Sequence, residues 1–278
     1  MDDTTYECIV VGGGAAGLSA ALLLGRARRR TLVLDAGEQS NLPAHGIGGL
    51  LGHDGRPPAE LYRIGGEELA RYGVEVRRAV VTTGKDAGDA FELTLGDGEM
   101  VVAERVILAT GMRYEPAPIP GAEERWGTSV FHCPFCHGWE VRDRPLGAFD
   151  EHRYELLRLW SDDVTLFDLD DVAELRGPGA SLTHVVLEDG TAVPCEGLLV
   201  PFTLHQRTTL AADLGARFAP PTPITDDALE LDPLGRTSVD RLYAAGDVGV
   251  DPPSIVTAIA AGMNAGRAVV VDLLGMGR

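Results

Sequence analysis

A glycine-rich turn between a buried strand and a helix is the feature that most restricts how this chain can fold. Residues 6–38 read YECIVVGGGAAGLSAALLLGRARRRTLVLDAGE: an apolar run, three glycines, a helical run and a second apolar run that ends in an acid. Gly12, Gly14 and Gly17 have the spacing G-x-G-x-x-G, and Asp35 ends the second run. In a βαβ unit these glycines permit the turn, the approach of a pyrophosphate and close helix–strand packing, while the acid reaches a ribose. The segment therefore predicts a parallel sheet that binds a dinucleotide at the helix N-terminus.

Composition and charge limit the possible partners. The chain has 278 residues, of which 45% are hydrophobic and 24% charged, which predicts a folded protein of one large or two modest domains. The net charge of -18 disfavours nucleic acid and anionic membranes, because both are bound through basic surfaces. The first residues show no basic and apolar leader pattern, and no run of about eighteen apolar residues follows. We therefore expect a cytoplasmic protein.

A closely spaced cysteine pair indicates the chemistry. Residues 132–138 read HCPFCHG, and a C-x-x-C pair can bind zinc, form a static disulfide or cycle as a redox centre. A static disulfide would be unusual in the cytoplasm. Zinc normally needs a second ligand pair, yet the other two cysteines stand singly in apolar runs, and the flanking histidines would give a strained, compressed set. We therefore predict a redox centre at Cys133 and Cys136, and no bound metal.

Two further motifs lie far apart in the sequence. Residues 105–113, RVILATGMR, end a buried strand in Ala-Thr-Gly, and residues 241–274 place Gly-Asp between a short strand and a long small-residue helix. With the glycine turn they resemble the three-part FAD signature of flavoproteins with two dinucleotide-binding domains. The CPFC pair shortly after the Ala-Thr-Gly strand resembles the low-molecular-weight thioredoxin reductases. The resemblance covers nearly the whole chain and implies an α/β fold with a Rossmann-like FAD domain and a truncated NADPH-type domain.

The resemblance also implies a domain organisation. Residues 1–112 and 241–278 would form a discontinuous FAD domain with an antiparallel meander over residues 74–111, and residues 113–240 a shortened NADPH-type domain that carries the cysteine pair. FAD is the implied cofactor, and a homodimer is the implied assembly. Asp247 would contact the ribityl or pyrophosphate part of FAD, and Ser254–Val256 would reach its ring system. The predicted FAD-binding residues are Gly12, Gly14, Ala15, Ala16, Gly17, Asp35, Ala36, Gly37, Asn41, His45, Ala109, Thr110, Gly111, Gly246, Asp247, Ser254, Ile255 and Val256.

The middle of the chain lacks the expected nucleotide site. In thioredoxin reductases this segment carries a second glycine-rich loop and basic residues that hold NADPH. Here the sequence at 150–152, after the strand LGAF, is DEH, and the sequence at 168–171, after VTLF, is DLDD. Carboxylates at these places repel phosphate rather than bind it. We therefore predict that NADPH is not used, although a drifted domain that binds the nicotinamide in an unusual pose is an alternative.

Without NADPH, the cysteine pair itself is the natural source of electrons for the flavin. In the family the second cysteine lies against the flavin, which implies that role for Cys136 and leaves Cys133 to exchange with a thiol substrate. The flanking His132 and His137 are candidate proton acceptors that favour the reactive thiolate, although packing is an equally open role for His132. CPFCH without a workable NADPH site resembles the FAD-dependent dithiol oxidases of gliotoxin and holomycin biosynthesis.

These observations predict an enzyme that oxidises small-molecule or protein thiols to disulfides, with oxygen as acceptor and hydrogen peroxide as product. One alternative is a disulfide reductase fed by ferredoxin or another donor, and a second is a flavin redox sensor without turnover. The aromatic residues Phe135 and Trp139 are predicted to pack the redox loop rather than to contact substrate. His45 and His53 could line the flavin's substrate face, or could be solvated loop residues.

Overall fold

The computed structural model describes residues 5–249 and 252–276, and helices separate runs of strands along them. The strands are β1 Thr5–Tyr6, β2 Cys8–Val11, β3 Thr31–Asp35, β4 Glu75–Arg78, β5 Val81–Asp86, β6 Phe91–Leu95, β7 Met100–Ala103, β8 Val106–Leu108, β9 Met112–Pro116, β10 Val130–Phe131, β11 Leu146–Ala148, β12 Val164–Leu166, β13 Val172–Arg176, β14 His184–Leu187, β15 Ala192–Pro194, β16 Gly197–Leu199, β17 Phe202–Gln206 and β18 Leu242–Ala244. The helices are α1 Ala15–Arg26, α2 Pro58–Ala70, α3 Pro134–His137, α4 Glu151–Leu157, α5 Leu210–Asp213 and α6 Ile255–Leu273, with 3-10 turns at Glu123–Arg125 and Leu169–Asp171.

The chain divides into two units. The first comprises the residues up to Ser40, Ala59–Arg113 and the residues from Leu204, and the second comprises Asn41–Pro58 and Tyr114–Thr203. These boundaries differ from the expected ones in two places. The segment 204–240 belongs to the first unit, because Leu210 and Leu214 on and after α5 pack beside Gly84 of β5. The loop 41–58 belongs to the second unit, where it approaches the redox loop.

A parallel sheet with the strand order β18-β8-β2-β3-β4 forms the centre of the first unit. Apart from the polar edge strand β4, its strands are short apolar runs because helices cover the sheet, and the buried core includes Val10, Ile107 and Tyr243. The second sheet of this unit has the order β1-β7-β6-β5, in which β5, β6 and β7 are antiparallel. The predicted meander is thus confirmed for residues 81–103, whereas β4 and β8 at its two ends join the parallel sheet.

Helix α6 is the one described helix that is long and apolar enough, by composition, to cross a membrane. Core helices of globular proteins pass the same test, and α6 packs along α1. A Cβ added to Gly262 would lie 2.0 Å from the carbonyl oxygen of Ala16, so the two backbones touch where neither has a bulky side chain. Ala265 and Val269, on α6, are fully buried in the core of the unit. We therefore interpret α6 as a core helix.

The second unit also contains a parallel sheet, with the order β10-β16-β11-β12, and a small antiparallel sheet β13-β14-β15. Helix α4 follows β11 and has only seven residues, short for a crossover helix. The cysteine pair lies at α3, between β10 and β11. This βαβ arrangement supports the predicted α/β fold class in both units.

Candidate active site

The glycine turn has the backbone geometry that a dinucleotide site needs. Gly12 has φ +113°, and a Cβ there would lie 2.1 Å from the carbonyl oxygen of Ala109. A Cβ on Gly17 would lie 1.8 Å from the carbonyl oxygen of Gly12, so only glycine permits this contact between α1 and the turn. Gly14 differs, because the nearest atom to its added Cβ is the Cγ of Gln39 at 3.7 Å. The space before α1 is therefore open for a phosphate to approach the backbone.

The first turn of α1 is suited to an anion. Its N-cap is Gly14, which has no side chain to cap the helix, and the first turn, which includes Ala15 and Ala16, contains no acid. The first amides of a helix lack intrahelical acceptors, and they attract negative charge together with the helix dipole. The residues of this turn therefore fit the pyrophosphate of FAD.

Asp35 lies at the end of β3, directly beside the glycine turn. Its Oδ1 accepts hydrogen bonds from the backbone N–H of Gly13 at 3.2 Å and of Gly37 at 2.9 Å, and Nε2 of Gln39 donates to both carboxylate oxygens. These bonds fix the carboxylate in the position from which the acid of a dinucleotide site reaches a ribose. Its neighbour Ala36 lies in the same turn.

The two distant FAD motifs meet the glycine turn in the parallel sheet. The N–H of Ala109, at the end of β8, donates to the carbonyl oxygen of Val11, and the N–H of Ala245, after β18, donates to that of Leu108. The C-terminal ends of β8 and β18 therefore lie side by side. Gly111 and Gly246 have φ values of +63° and +84°. Thr110 and Asp247 follow the same two strand ends, so the structure brings these sequence-predicted residues to one edge of one sheet.

The remaining predicted FAD-binding residues have different surroundings. Ser254 is the N-cap of α6, and it forms a reciprocal capping box with Thr257 through two 3.1 Å hydrogen bonds. Ile255 is half-buried and Val256 is exposed in the first turn. Asn41 and His45 belong to the second unit, as does His53. The His45 side chain is exposed, and Nδ1 of His53 is buried without a hydrogen-bond partner.

Cys133 and Cys136 form a disulfide with a Cα–Cα distance of 5.4 Å. Cys133 is the N-cap of α3, and Pro134 at the first helical position sets the turn between the cysteines. Both cysteines are half-buried. A Cβ added to Gly48 would lie 2.6 Å from the carbonyl oxygen of Cys136, so the loop 41–58 packs closely against this cysteine.

The other cysteines are buried and unreactive. Cys8 in β2 and Cys195 before β16 are free thiols, and burial raises the pKa of both, that of Cys195 to about 12. Over residues 5–249 and 252–276, no group of three or more His, Cys, Asp or Glu side chains could hold a metal ion. The redox-capable sulfur is thus concentrated in one loop of the described chain.

His137 is held by one backbone hydrogen bond. Its Nε2 lies 3.1 Å from the carbonyl oxygen of Gly127, which can only accept, so Nε2 carries the proton and Nδ1 is the basic atom. Nδ1 is buried without a hydrogen-bond partner, and the ring stacks on Phe131. Burial lowers the pKa of His137, and the backbone of Gly127, the Glu140 carboxylate and the backbone of Cys133 oppose this only in part. His137 is therefore a neutral imidazole at pH 7 with a free lone pair on Nδ1.

His132 lies in an aromatic cluster. Its ring centroid is 4.7 Å from that of Phe202, 5.0 Å from Tyr114 and 5.5 Å from Trp126. Burial is the main cause, and the proximity of His137 the smaller one, that together lower the pKa of His132 to about 4. This side chain is therefore a neutral packing group across the physiological range, which favours the packing role among the two left open.

Phe135 and Trp139 are mostly exposed, so the predicted packing of the redox loop is limited to an edge contact between Phe135 and Trp160. Their side chains are 69% and 65% exposed. The loop is packed instead by Trp160, whose ring would lie 2.6 Å from a Cβ added to Gly138. No sequence pattern points to Trp160, because it lies more than twenty residues from the cysteine pair.

The turn after β11 is capped by the chain's own carboxylate. Asp150 is the N-cap of α4; its Oδ1 accepts from the backbone N–H of Arg153 at 2.8 Å, and its Oδ2 pairs with the Arg153 guanidinium. Burial acts to raise the pKa of Asp150, but both interactions with Arg153 outweigh it and lower the pKa. The corresponding turn after β12 is closed by Asp168, which accepts from the N–H of Asp170 at 3.1 Å. Both turns therefore present bound carboxylates where phosphate contacts would be needed.

Sequence reasoning missed several residues around the pair. The carbonyl of Gly127 and the ring of Trp160 meet His137 and Gly138 only through the fold. A positive φ of +78° at Gly127 is compatible with the glycine there, but no pattern in the sequence connects it to His137.

Comparison with known proteins agrees with this geometry. The family model "Pyridine nucleotide-disulphide oxidoreductase" matches residues 6–154. A "Probable thioredoxin reductase" of Arthroderma benhamiae is 35% identical over 188 residues, which are 65% of this chain and 46% of that protein, so the match spans about half of that relative. "Thioredoxin reductase sirT" of Leptosphaeria maculans is 29% identical and covers 97% of this chain and 95% of its own length. The crystal structure of HlmI is 33% identical with a TM-score of 0.89, covering 99% of this chain and 95% of HlmI.

Proposed function

Since the chain belongs to the pyridine nucleotide-disulphide oxidoreductases, as a thioredoxin reductase-like flavoprotein that binds FAD, we propose that it oxidises thiols to disulfides through Cys133 and Cys136 without NADPH. The observation that carries this proposal is the capped turn at Asp150. In a nucleotide site the N–H groups of this turn would face phosphate, but here the carboxylate of Asp150 binds the N–H of Arg153. A phosphate would have to displace it and would meet its charge.

The direction of electron flow follows from that loss. A substrate thiolate attacks Sγ of Cys133, the Cys133–Cys136 bond breaks, and Cys136 leaves as a thiolate. A second substrate thiolate then attacks the substrate sulfur of the mixed disulfide and releases Cys133. The substrate loses two electrons and two protons, and the enzyme pair becomes a dithiol. FAD, when bound, supplies the two-electron acceptor that regenerates the disulfide, with oxygen as the final acceptor and hydrogen peroxide as product.

His137 is the proton acceptor in this scheme. Its Nδ1 is unprotonated, because Nε2 donates to the carbonyl oxygen of Gly127. A lowered pKa keeps the imidazole neutral at pH 7, so it can accept the thiol proton as a thiolate forms. The scheme assigns no proton transfer to His132, because an imidazole of pKa about 4 is a weak base.

The proposed setting is a cytoplasmic homodimer that acts on a small-molecule or protein thiol. The net charge of -18 supports a partner other than nucleic acid or an anionic membrane. The resemblance to the dithiol oxidases of gliotoxin and holomycin biosynthesis supports a dithiol as substrate and oxygen as acceptor.

The test is an anaerobic reduction of the purified yellow holoprotein. Flavin absorbance is followed after NADPH is added to one sample and dithiothreitol to another, and air is then admitted. We expect bleaching by dithiothreitol alone, with recovery and hydrogen peroxide on aeration. Cys133→Ser and Cys136→Ser should abolish the bleaching, whereas Cys195→Ala should retain it as a buried-thiol control. Rapid bleaching by NADPH would refute the proposal, and bleaching by dithiothreitol without recovery in air would favour a reductase fed by a protein donor.

A further inference from the structure

Two exposed aromatic rings flank the redox pair. Phe135 immediately precedes Cys136 and Trp139 follows it by three residues, and they are 69% and 65% exposed. Single exposed apolar side chains are common on protein surfaces. Two large exposed rings within three residues of a redox cysteine are a different case, because apolar surface in the loop of a reaction centre marks a binding surface. We propose that Phe135 and Trp139 select the substrate by binding a planar aromatic ring next to its thiols.

The structure holds both rings in place. Phe135 packs edge-on against Trp160, with ring centroids 5.7 Å apart and an interplanar angle of 77°. The guanidinium of Arg142 lies 4.0 Å above the Trp139 ring, and its Nη1 donates to the Trp139 carbonyl oxygen at 2.6 Å. Rings that are supported before binding lose little conformational freedom when a ligand stacks on them. The two side chains are therefore a preformed surface rather than loose loop residues.

The size of the surface favours a small molecule over a protein. Aromatic side chains present roughly 150–250 Å² each, so the exposed parts of the two rings amount to about 250 Å². A stable protein interface needs about 800 Å² per partner. One aromatic ring of a small dithiol, in contrast, fits an area of this size. The guanidinium of Arg142 has no carboxylate partner among the described residues, so it can also meet an acceptor oxygen of the ligand.

This inference rests on the proposed function for its chemistry, but binding can be measured without turnover. The two probes are dithiothreitol and 1,2-benzenedimethanethiol, which both form six-membered cyclic disulfides and differ in the aromatic ring. We expect Phe135→Ala and Trp139→Ala each to lower kcat/KM for the aromatic dithiol about fivefold and to change that for dithiothreitol less than twofold. Phe218→Ala removes an exposed phenyl ring from the other unit, and it should change neither value.

The same preference should appear in binding. The cyclic disulfide of the aromatic dithiol should quench tryptophan fluorescence of the holoprotein, with a Kd about fivefold weaker in Trp139→Ala, whereas oxidised dithiothreitol should not quench it. An equal loss of kcat/KM for both dithiols, or an unaltered Kd in Trp139→Ala, would overturn the inference. Either result would leave the proposed thiol oxidation standing. A loss seen only with reduced thioredoxin as substrate would identify a protein-docking surface and refute the small-molecule assignment. If the wild type oxidises neither dithiol, the proposed function fails, and the binding measurement still decides the role of the rings.

Discussion

Replacing His132 with phenylalanine should remove a defined part of the acid sensitivity of the folded protein. His132 is enclosed by Tyr114, Trp126 and Phe202, and burial lowers its pKa from the usual 6.5 to about 4. Between these values the unfolded chain binds a proton that the folded chain does not. The free energy of unfolding is therefore unaffected by the titration of His132 above about pH 6.5. It decreases as the pH falls from 6.5 toward 4, because the unfolded chain takes up a proton that the folded chain does not. Phenylalanine fills the same aromatic cluster and cannot titrate.

The magnitude follows from the two pKa values. At pH 5 an unfolded histidine is almost fully protonated, while a folded one with a pKa of about 4 is mostly neutral, which amounts to about 2 kcal/mol of lost stability relative to pH 7.5. This figure is an upper value, because the partly exposed ring keeps some contact with water. We therefore expect the loss of unfolding free energy between pH 7.5 and pH 5 to be up to about 2 kcal/mol smaller in His132→Phe than in the wild type.

Urea unfolding of the oxidised holoprotein with excess FAD, followed by fluorescence at both pH values, measures this difference. Exposed His152 on α4 provides the control, since His152→Gln should leave the pH dependence of the wild type unchanged. His137 titrates in all these variants, so the comparison reports the titration of His132 together with its electrostatic coupling to His137. If His132→Phe loses as much stability as the wild type between pH 7.5 and 5, the aromatic enclosure does not keep His132 neutral and the reasoning is refuted.

Three other residues give sharp expectations. His137→Gln should slow reduction of the flavin by dithiothreitol about 10²- to 10⁴-fold. The wild-type rate should fall as the pH drops below the usual histidine pKa of 6.5, because protonation removes the proton acceptor on Nδ1. A pH-independent rate, measured by stopped flow, would contradict this role. The Cβ of Gly14→Ala would lie 3.7 Å from its nearest atom, so this variant should fold. A titration with FAD should show binding tenfold or more weaker (about 1.4 kcal/mol), because the methyl group occupies the approach of the phosphate. Gly66→Ala on α2 has open space around its Cβ and should leave the FAD affinity unchanged. Asp150→Ala should lower the unfolding free energy by about 1 kcal/mol through loss of the α4 cap, and unchanged urea unfolding would show that the cap is not formed.

The sequence alone determined the parts of this protein that depend on neighbouring residues. Glycines at 12, 14 and 17 define a turn by their own backbone freedom, and the strand–turn–helix order around them predicts a parallel sheet with a dinucleotide site. Cysteines with two residues between them can close a disulfide without help from the rest of the chain. The acidic turn at Asp150 was also readable, because its cap joins residues only three apart.

The tertiary structure decided what depends on contacts between distant segments. His132 and His137 both flank the pair in the sequence, but three aromatic rings make one a packing group, and the carbonyl of Gly127 makes the other a base. Phe135 and Trp139 look like packing residues in the sequence, yet Trp160 already fills the space behind the loop and leaves both rings in water. Burial and protonation depend on which surfaces meet across the fold, and local sequence does not contain that information.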